Sequence, residues 1–335
     1  MKRYFMAFLA LAAMLPAYGD VLLVGNKSAH TLWALDLATG EKTASFETGT
    51  GPHEVAVSPD GRLAVVTNYG DRETEGNSLT VIDWAGGGAV RTVSLGENTR
   101  PHGVVFRADG TLVVTTEGSN RIALVDPAQD QVLKTIDVGE GVAHMVAVSP
   151  QGGTAFVTNI SAGTLEKVDL SSGKITGVLR TGKGAEGVAV TPDGREVWVT
   201  NRGDDTVTVA DARTLEVLAT LPSPGFPIRI AFTPDGTHAL VTNARAATLS
   251  VFDAASRTTV RTLEIADPEA KYQPTLLGDS ALPIGVFVHP DGSRAYVAIS
   301  GANEVAVIDT SRWEIVDLWQ TGREPDALGI RLAGS

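Results

Sequence analysis

Three of the six histidines in this 335-residue chain stand at one place in a recurring phrase. The phrase reads Pro-His-Glu-Val-Ala-Val-Ser-Pro-Asp-Gly-Arg-Leu-Ala-Val-Val-Thr-Asn from Pro52 to Asn68. In successive copies the residue after the opening Pro or Ala is His53, His102, His144, Glu186, Ile228, Ile284 and Asp326. Imidazole is the commonest side-chain metal ligand near neutral pH. Three imidazoles with a carboxylate such as Glu186, the next in the ring after His144, are the ligand types that hold zinc or copper, and Glu54 and Glu117 are expected nearby. The same slots also fit a polar ring that contacts a ligand without metal, or imidazoles that only cap loop carbonyls. Arg202, Arg229 and Arg245 fall at the other side of the same ring of slots. Guanidinium forks favour carboxylate and phosphate, so a small anionic ligand or an acidic partner protein suits that side; solvated surface charge is the alternative.

Short strands must position these residues. Further copies run Pro101–Thr116, Ala143–Asn159, Ala185–Asn201, Pro227–Asn243 and Pro283–Ile299, with a truncated one from Pro325. A period near 42 residues, built of short apolar runs, means a radial array of four-stranded units. In the copy at Ala185, strand A is Gly187–Val190, strand B Glu196–Thr200, strand C Thr206–Ala210 and strand D Glu216–Thr220, all separated by turn formers. Seven such units predict an all-β, seven-bladed β-propeller with four antiparallel strands per blade. A β-helix would need much shorter rungs and parallel pairing. The last blade takes strand A from the C-terminus and three strands, Val21–Val24, Thr31–Leu35 and Lys42–Phe46, from the N-terminal side, which removes free sheet edges.

Antiparallel order sorts the two ends of each blade. Pro-Asp-Gly turns (Asp60, Asp109, Asp193, Asp235, Asp291) and the aspartates ending strand C share one face and read as turn chemistry. The varying slots share the other face with Asn26, Asn68, Asn159, Asn201 and Asn243, which read as turn stabilisers. Two insertions, Tyr69–Ser78 and Ile265–Leu282, also belong to the slot face, and long loops in a compact array commonly serve as lids or partner contacts.

The pattern of Val55–Asn68, Val188–Asn201 and Ile230–Asn243, with strand C as Leu79–Asp83 and Val305–Asp309, resembles the YVTN-type β-propeller repeat over nearly all of the chain past residue 19. That resemblance implies an exported seven-bladed propeller acting as a binding or surface protein. Ala295–Leu318 is similar to propellers that accompany periplasmic PQQ-dependent alcohol oxidation. Over one blade, Pro101–Val104 with Thr116–Ile122 is similar to repeats of streptogramin B lyases, seven-bladed enzymes that use a metal, a histidine and glutamates.

Lys2 and Arg3, an apolar run from Tyr4 to Leu15, and Pro16-Ala17-Tyr18-Gly19 read as a signal peptide over residues 1–19 with a cut before Asp20. The run is too short for a span of ~20 residues, so no membrane span is expected after cleavage. Residues 20–335 then form one domain, expected to be a periplasmic or secreted monomer. The chain has no cysteine, so packing and sheet closure alone must hold it. Loss of Lys2 and Arg3 moves the formal net charge from −12 to −14, which disfavours nonspecific nucleic-acid binding. No phosphate loop, HExxH or GxSxG motif is present. The sequence thus supports a binding or accessory module for a small ligand, metal ion or protein partner through His53, His102, His144, Glu186, Asp326, Arg202, Arg229 and Arg245. The alternative is a metal-dependent lyase or hydrolase with His53, His102, His144 and Glu186 around the ion.

Overall fold

The computed structural model describes residues 19–267, 269–275 and 277–333. The signal-peptide expectation therefore lies almost wholly outside the described residues. Among those described, twenty-eight strands form seven four-stranded antiparallel sheets, and the helical content is a single 3₁₀ turn at Lys27–Ala29. No helix is long and apolar enough to cross a membrane.

Each blade is a meander because its strands are five to nine residues of β-branched and apolar type, cut by Asp- and Gly-bearing turns. Asp193 is representative: its Oδ1 accepts hydrogen bonds from Thr191 Oγ1 and Arg195 N, which folds the A–B turn back on itself. Asp211 caps the C–D turn through Arg213 N and Thr214 N. The aspartates of that face are turn chemistry, as the sequence indicated.

The innermost strands are β4 (Pro52–Val57), β8 (Pro101–Phe106), β12 (Ala143–Val148), β16 (Ala185–Val190), β20 (Pro227–Phe232), β24 (Pro283–Val288) and β28 (Pro325–Arg331). Each touches the next around a closed ring of seven. Closure follows the expected route: β28 pairs with β1 (Val21–Asn26), from Val21 opposite Arg331 to Asn26 opposite Pro325, and β1 pairs with β2 (Thr31–Asp36). Apolar side chains between neighbouring sheets form the core. Leu22, Val24 and Leu35 pack with Tyr296, Val307, Trp319, Leu328 and Ile330 across the seam.

The threonine of the recurring Val-Thr-Asn joins blades and fixes the slots. Thr67 Oγ1 accepts Glu54 N of its own blade at 2.9 Å and donates to the carbonyl of His102 in the next at 3.0 Å. Thr158 does the same for Met145 N and the Glu186 carbonyl, and Thr242 for Arg229 N and the Ile284 carbonyl. The asparagine beside it is buried and ties strand B to strand C: Asn201 Nδ2 donates to Thr206 and Thr208, and Asn243 Nδ2 to Thr248 and Ser250. These asparagines are cross-strand ties deep in the blade, a stronger structural role than turn stabilisation.

Candidate functional site

The slot residues meet where the innermost strands begin. There the ladder slips: Pro52 pairs with Asn68 and Val55 with Val66, and the same irregularity recurs at Pro101/Val104, Ala143/Val146, Ala185/Val188 and Pro283/Val286. A bulge releases two consecutive residues from strict alternation, so the slot residue and its successor both sit at the channel mouth. The successors are Glu54, Gly103, Met145, Gly187, Arg229, Gly285 and Ala327. A β-carbon on Gly187 would come within 2.6 Å of the Ile228 carbonyl oxygen, and one on Gly285 within 2.2 Å of that of Asp326, so neighbouring backbones dictate glycine there.

The three histidines form a stack along one wall. Ring centroids of His53 and His102 are 4.0 Å apart, and those of His102 and His144 also 4.0 Å. Tyr69, at the base of the first insertion, lays its ring edge-on against His53 and His102 and donates its hydroxyl to Glu117 Oε2 at 2.5 Å. Glu117 Oε1 is hydrogen-bonded to His144 Nδ1 and lies 3.9 Å from His102 Nε2. The other nitrogen of His144 meets Glu186 Oε1 at 2.7 Å. At the end of the stack His53 lies against Lys27 (3.3 Å) and Asp326 (3.4 Å), which are 3.5 Å from each other.

Arg229 crosses the channel. Its Nε and Nη2 donate to Glu54 Oε1 at 3.0 and 2.7 Å, and Nη1 reaches Glu186 Oε1 at 3.3 Å. Arg202 Nη1 donates to Glu186 Oε2 at 2.8 Å. These two guanidinium groups are thus committed to carboxylates of the protein, while Arg245 lies apart, stacked over the Phe226 ring at 4.0 Å. The structure brings His53, His102, His144, Glu186, Arg202, Arg229 and Asp326 into one network and leaves Arg245 outside it. Glu54, Glu117, Tyr69 and Lys27 join it. Ile228 and Ile284 pack with Ala244 and Leu282 into an apolar wall opposite.

Burial and charge divide the imidazoles. Burial, aided by cationic neighbours, holds His53 and His102 well below the usual histidine range, so both are neutral. Burial acts the same way on His144, but the Glu186 and Glu117 carboxylates outweigh it and raise its pKa to about 9. Glu186 is the counterpart: burial pushes it up, and His144, Arg229 and Arg202 bring it down to about 2. A histidine raised from ~6.5 to about 9 contributes stability that is complete below pH ~6.5 and lost as pH rises through 9, worth about 3 kcal/mol at most. Thermal melts of the protein are therefore expected to fall between pH 6.5 and 9, and those of His144→Gln to stay flat there. Equal slopes for the two proteins would mean that His144 is not the charged member.

Solved structures similar to this chain share its fold at low identity. The hydrazine synthase of Kuenenia stuttgartiensis superimposes with a TM-score of 0.71 at 18% identity, covering 85% of this chain and 96% of that one. A functionally unknown protein from Desulfotomaculum acetoxidans DSM 771 gives 0.75 at 17% identity, covering 93% and 99%. No curated protein sequence is significantly similar. Residues 110–273 match the family described as YNCE-like beta-propeller. That match, together with the seven blades, is consistent with a propeller of the YVTN type. The match spans blades on both sides of His144 and Glu186, and the closed ring of seven carries the same repeat through the remainder.

Proposed function

We propose that this YVTN-type propeller is an exported binding or accessory module, periplasmic or secreted, whose ligand seats at the histidine-lined channel mouth. One observation carries the reading: stacked imidazoles fill slots that the fold fills elsewhere with isoleucine. His102 is buried to 2% exposure with Nδ1 lacking a hydrogen-bond partner, and Asp326 Oδ1 is likewise buried without one. Such groups cost stability, about 1–3 kcal/mol each, and persist where function needs them. Ile228 and Ile284 occupy the equivalent slots at no such cost.

Support for access comes from a cleft of about 560 Å³ lined by Lys27, His30, Tyr69, Arg72 and Arg100. Tyr69 and Lys27 line this cleft and also touch the stack, Tyr69 against His53 and His102 and Lys27 against His53. The cleft is also where a substrate would sit if the mouth were the centre of a lyase or hydrolase. Replacing His102 with the isoleucine of the sister blades is expected to raise the melting temperature by about 2–4 °C in ligand-free protein, the equivalent of ~1 kcal/mol. His53→Ile should act in the same direction. Scanning calorimetry decides: a fall of several degrees in both variants would make the stack a structural device and remove the basis for a binding site.

A further inference from the structure

We propose that the chain binds one divalent transition-metal ion between His102, Glu117 and His144, an inference that rests on the mouth being a ligand site. Ligand atoms of these three residues all lie within 4.8 Å of one another. Around a tetrahedral ion with bonds of ~2.0–2.1 Å, ligand atoms stand about 3.3–3.4 Å apart. The separation of His102 Nε2 from Glu117 Oε1, 3.9 Å, needs to close slightly, and the hydrogen-bonded His144 Nδ1 and Glu117 Oε1 need to part by about 1 Å. Rotation of the Glu117 carboxylate supplies both movements.

The donor set is the right chemistry, and its surroundings are those of a metal site. His102 is almost fully buried, its Nδ1 has no hydrogen-bond partner, and its Nε2 is too far from Glu117 for a hydrogen bond. Two imidazoles and a carboxylate leave a fourth position open, the arrangement of zinc sites that take an exchangeable ligand. Outer partners are present for His144 and Glu117. Glu186 receives the other ring nitrogen of His144 at 2.7 Å and is itself fixed by Arg202 and Arg229. Tyr69 orients Glu117 from its far oxygen. Carboxylate–histidine–metal relays of this kind set the ring orientation and strengthen the ligand. This assigns Glu186 to the outer partners and Glu117 to the ion, a different carboxylate from the one the repeat slots suggested.

A second trio, His53, Glu54 and His102, also brings ligand atoms within 4.8 Å. Two cations already face it: Arg229 gives two N–H groups to Glu54, and the Lys27 ammonium lies 3.3 Å from His53 Nε2. The first trio is therefore the site.

The test is calorimetric titration of Zn²⁺ into untagged, chelator-stripped protein, with Co²⁺ absorption as a report on coordination. One ion per chain is expected. Glu117→Gln and His102→Gln should each weaken zinc binding at least 100-fold, and Glu186→Gln 10- to 100-fold as an orienting residue. His289→Gln, at the opposite face, should leave it unchanged. Circular dichroism melts confirm that each variant is folded, and the glutamine variants keep the pocket volume. No zinc uptake at millimolar concentration would overturn the metal site. So would full affinity in both His102→Gln and Glu117→Gln, or loss confined to His53→Gln. If zinc fails to bind while His102→Ile still raises the melting temperature, the metal is wrong and the ligand site stands. If the isoleucine variants lose stability as well, both fall.

Discussion

Deletion of residues 324–335 is expected to abolish cooperative folding at 25 °C, or to lower the melting temperature by more than about 15 °C. The segment contains all of β28, the innermost strand of the closing blade. Its removal strips β1 of an antiparallel partner along Val21–Asn26 and breaks the ring of contacts between β24 and β4. Buried Leu328 and Ile330 alone account for about 1.5–3 kcal/mol each, against a total stability of ~5–15 kcal/mol. A freed β1 would also present an unpaired apolar edge, so the truncated chain should self-associate. Calorimetry and light scattering check this. A truncated monomer melting at the full-length temperature would mean that the ring does not depend on its terminal strand.

Substitution of Arg229 is the second large effect. Its guanidinium is buried and neutralises Glu54 and Glu186 across the channel. Removing one member of a buried pair leaves uncompensated charge and costs about 3–5 kcal/mol. Arg229→Met should therefore lower the melting temperature by roughly 6–15 °C, while Arg229→Met combined with Glu54→Met recovers much of the loss, since a buried pair replaced together by apolar groups is often near neutral. Equal losses in the single and double variants would show that Glu54 is not the group Arg229 serves.

The blades, their order and their closure were legible in the sequence because the repeat prints the same turn chemistry at nearly constant spacing. Pro-Asp-Gly and the strand C aspartates fix turns locally, and nothing distant can override them. The slots at His53, His102, His144 and Glu186 were legible as the places where the phrase stops agreeing with itself. What the repeat could not reveal is the bulge at the head of each innermost strand. Strict alternation assigns one side chain per blade to the mouth, whereas the slipped register also brings in Glu54 and Arg229, which follow their slots. Tyr69 and Glu117 share a second varying position of the repeat, the residue just after the one that ends strand B, with Lys27 and Arg202 in other blades. That position carried a signal of the same kind as the slots, a place where the copies differ, and only Arg202 was singled out from it. The arginines were read as receivers for an outside anion; Arg229 and Arg202 instead hold Glu54 and Glu186, and a pairing across four blades leaves no trace in a period of 42.

The mouth thus combines a neutral imidazole stack, a charged His144–Glu186 pair and an apolar wall. His102 can donate to an ion as it stands, whereas His144 must first release the Nδ1 proton that it shares with Glu117, so metal uptake should release a proton. The most direct measurement is anomalous X-ray diffraction at the zinc edge from crystals of the untagged protein grown with zinc. The expected result is one strong peak per chain within ~2.2 Å of atoms of His102, Glu117 and His144. A map in which zinc appears only on the Pro-Asp-Gly turns or other exposed carboxylates, with the histidine stack undisturbed, would contradict it.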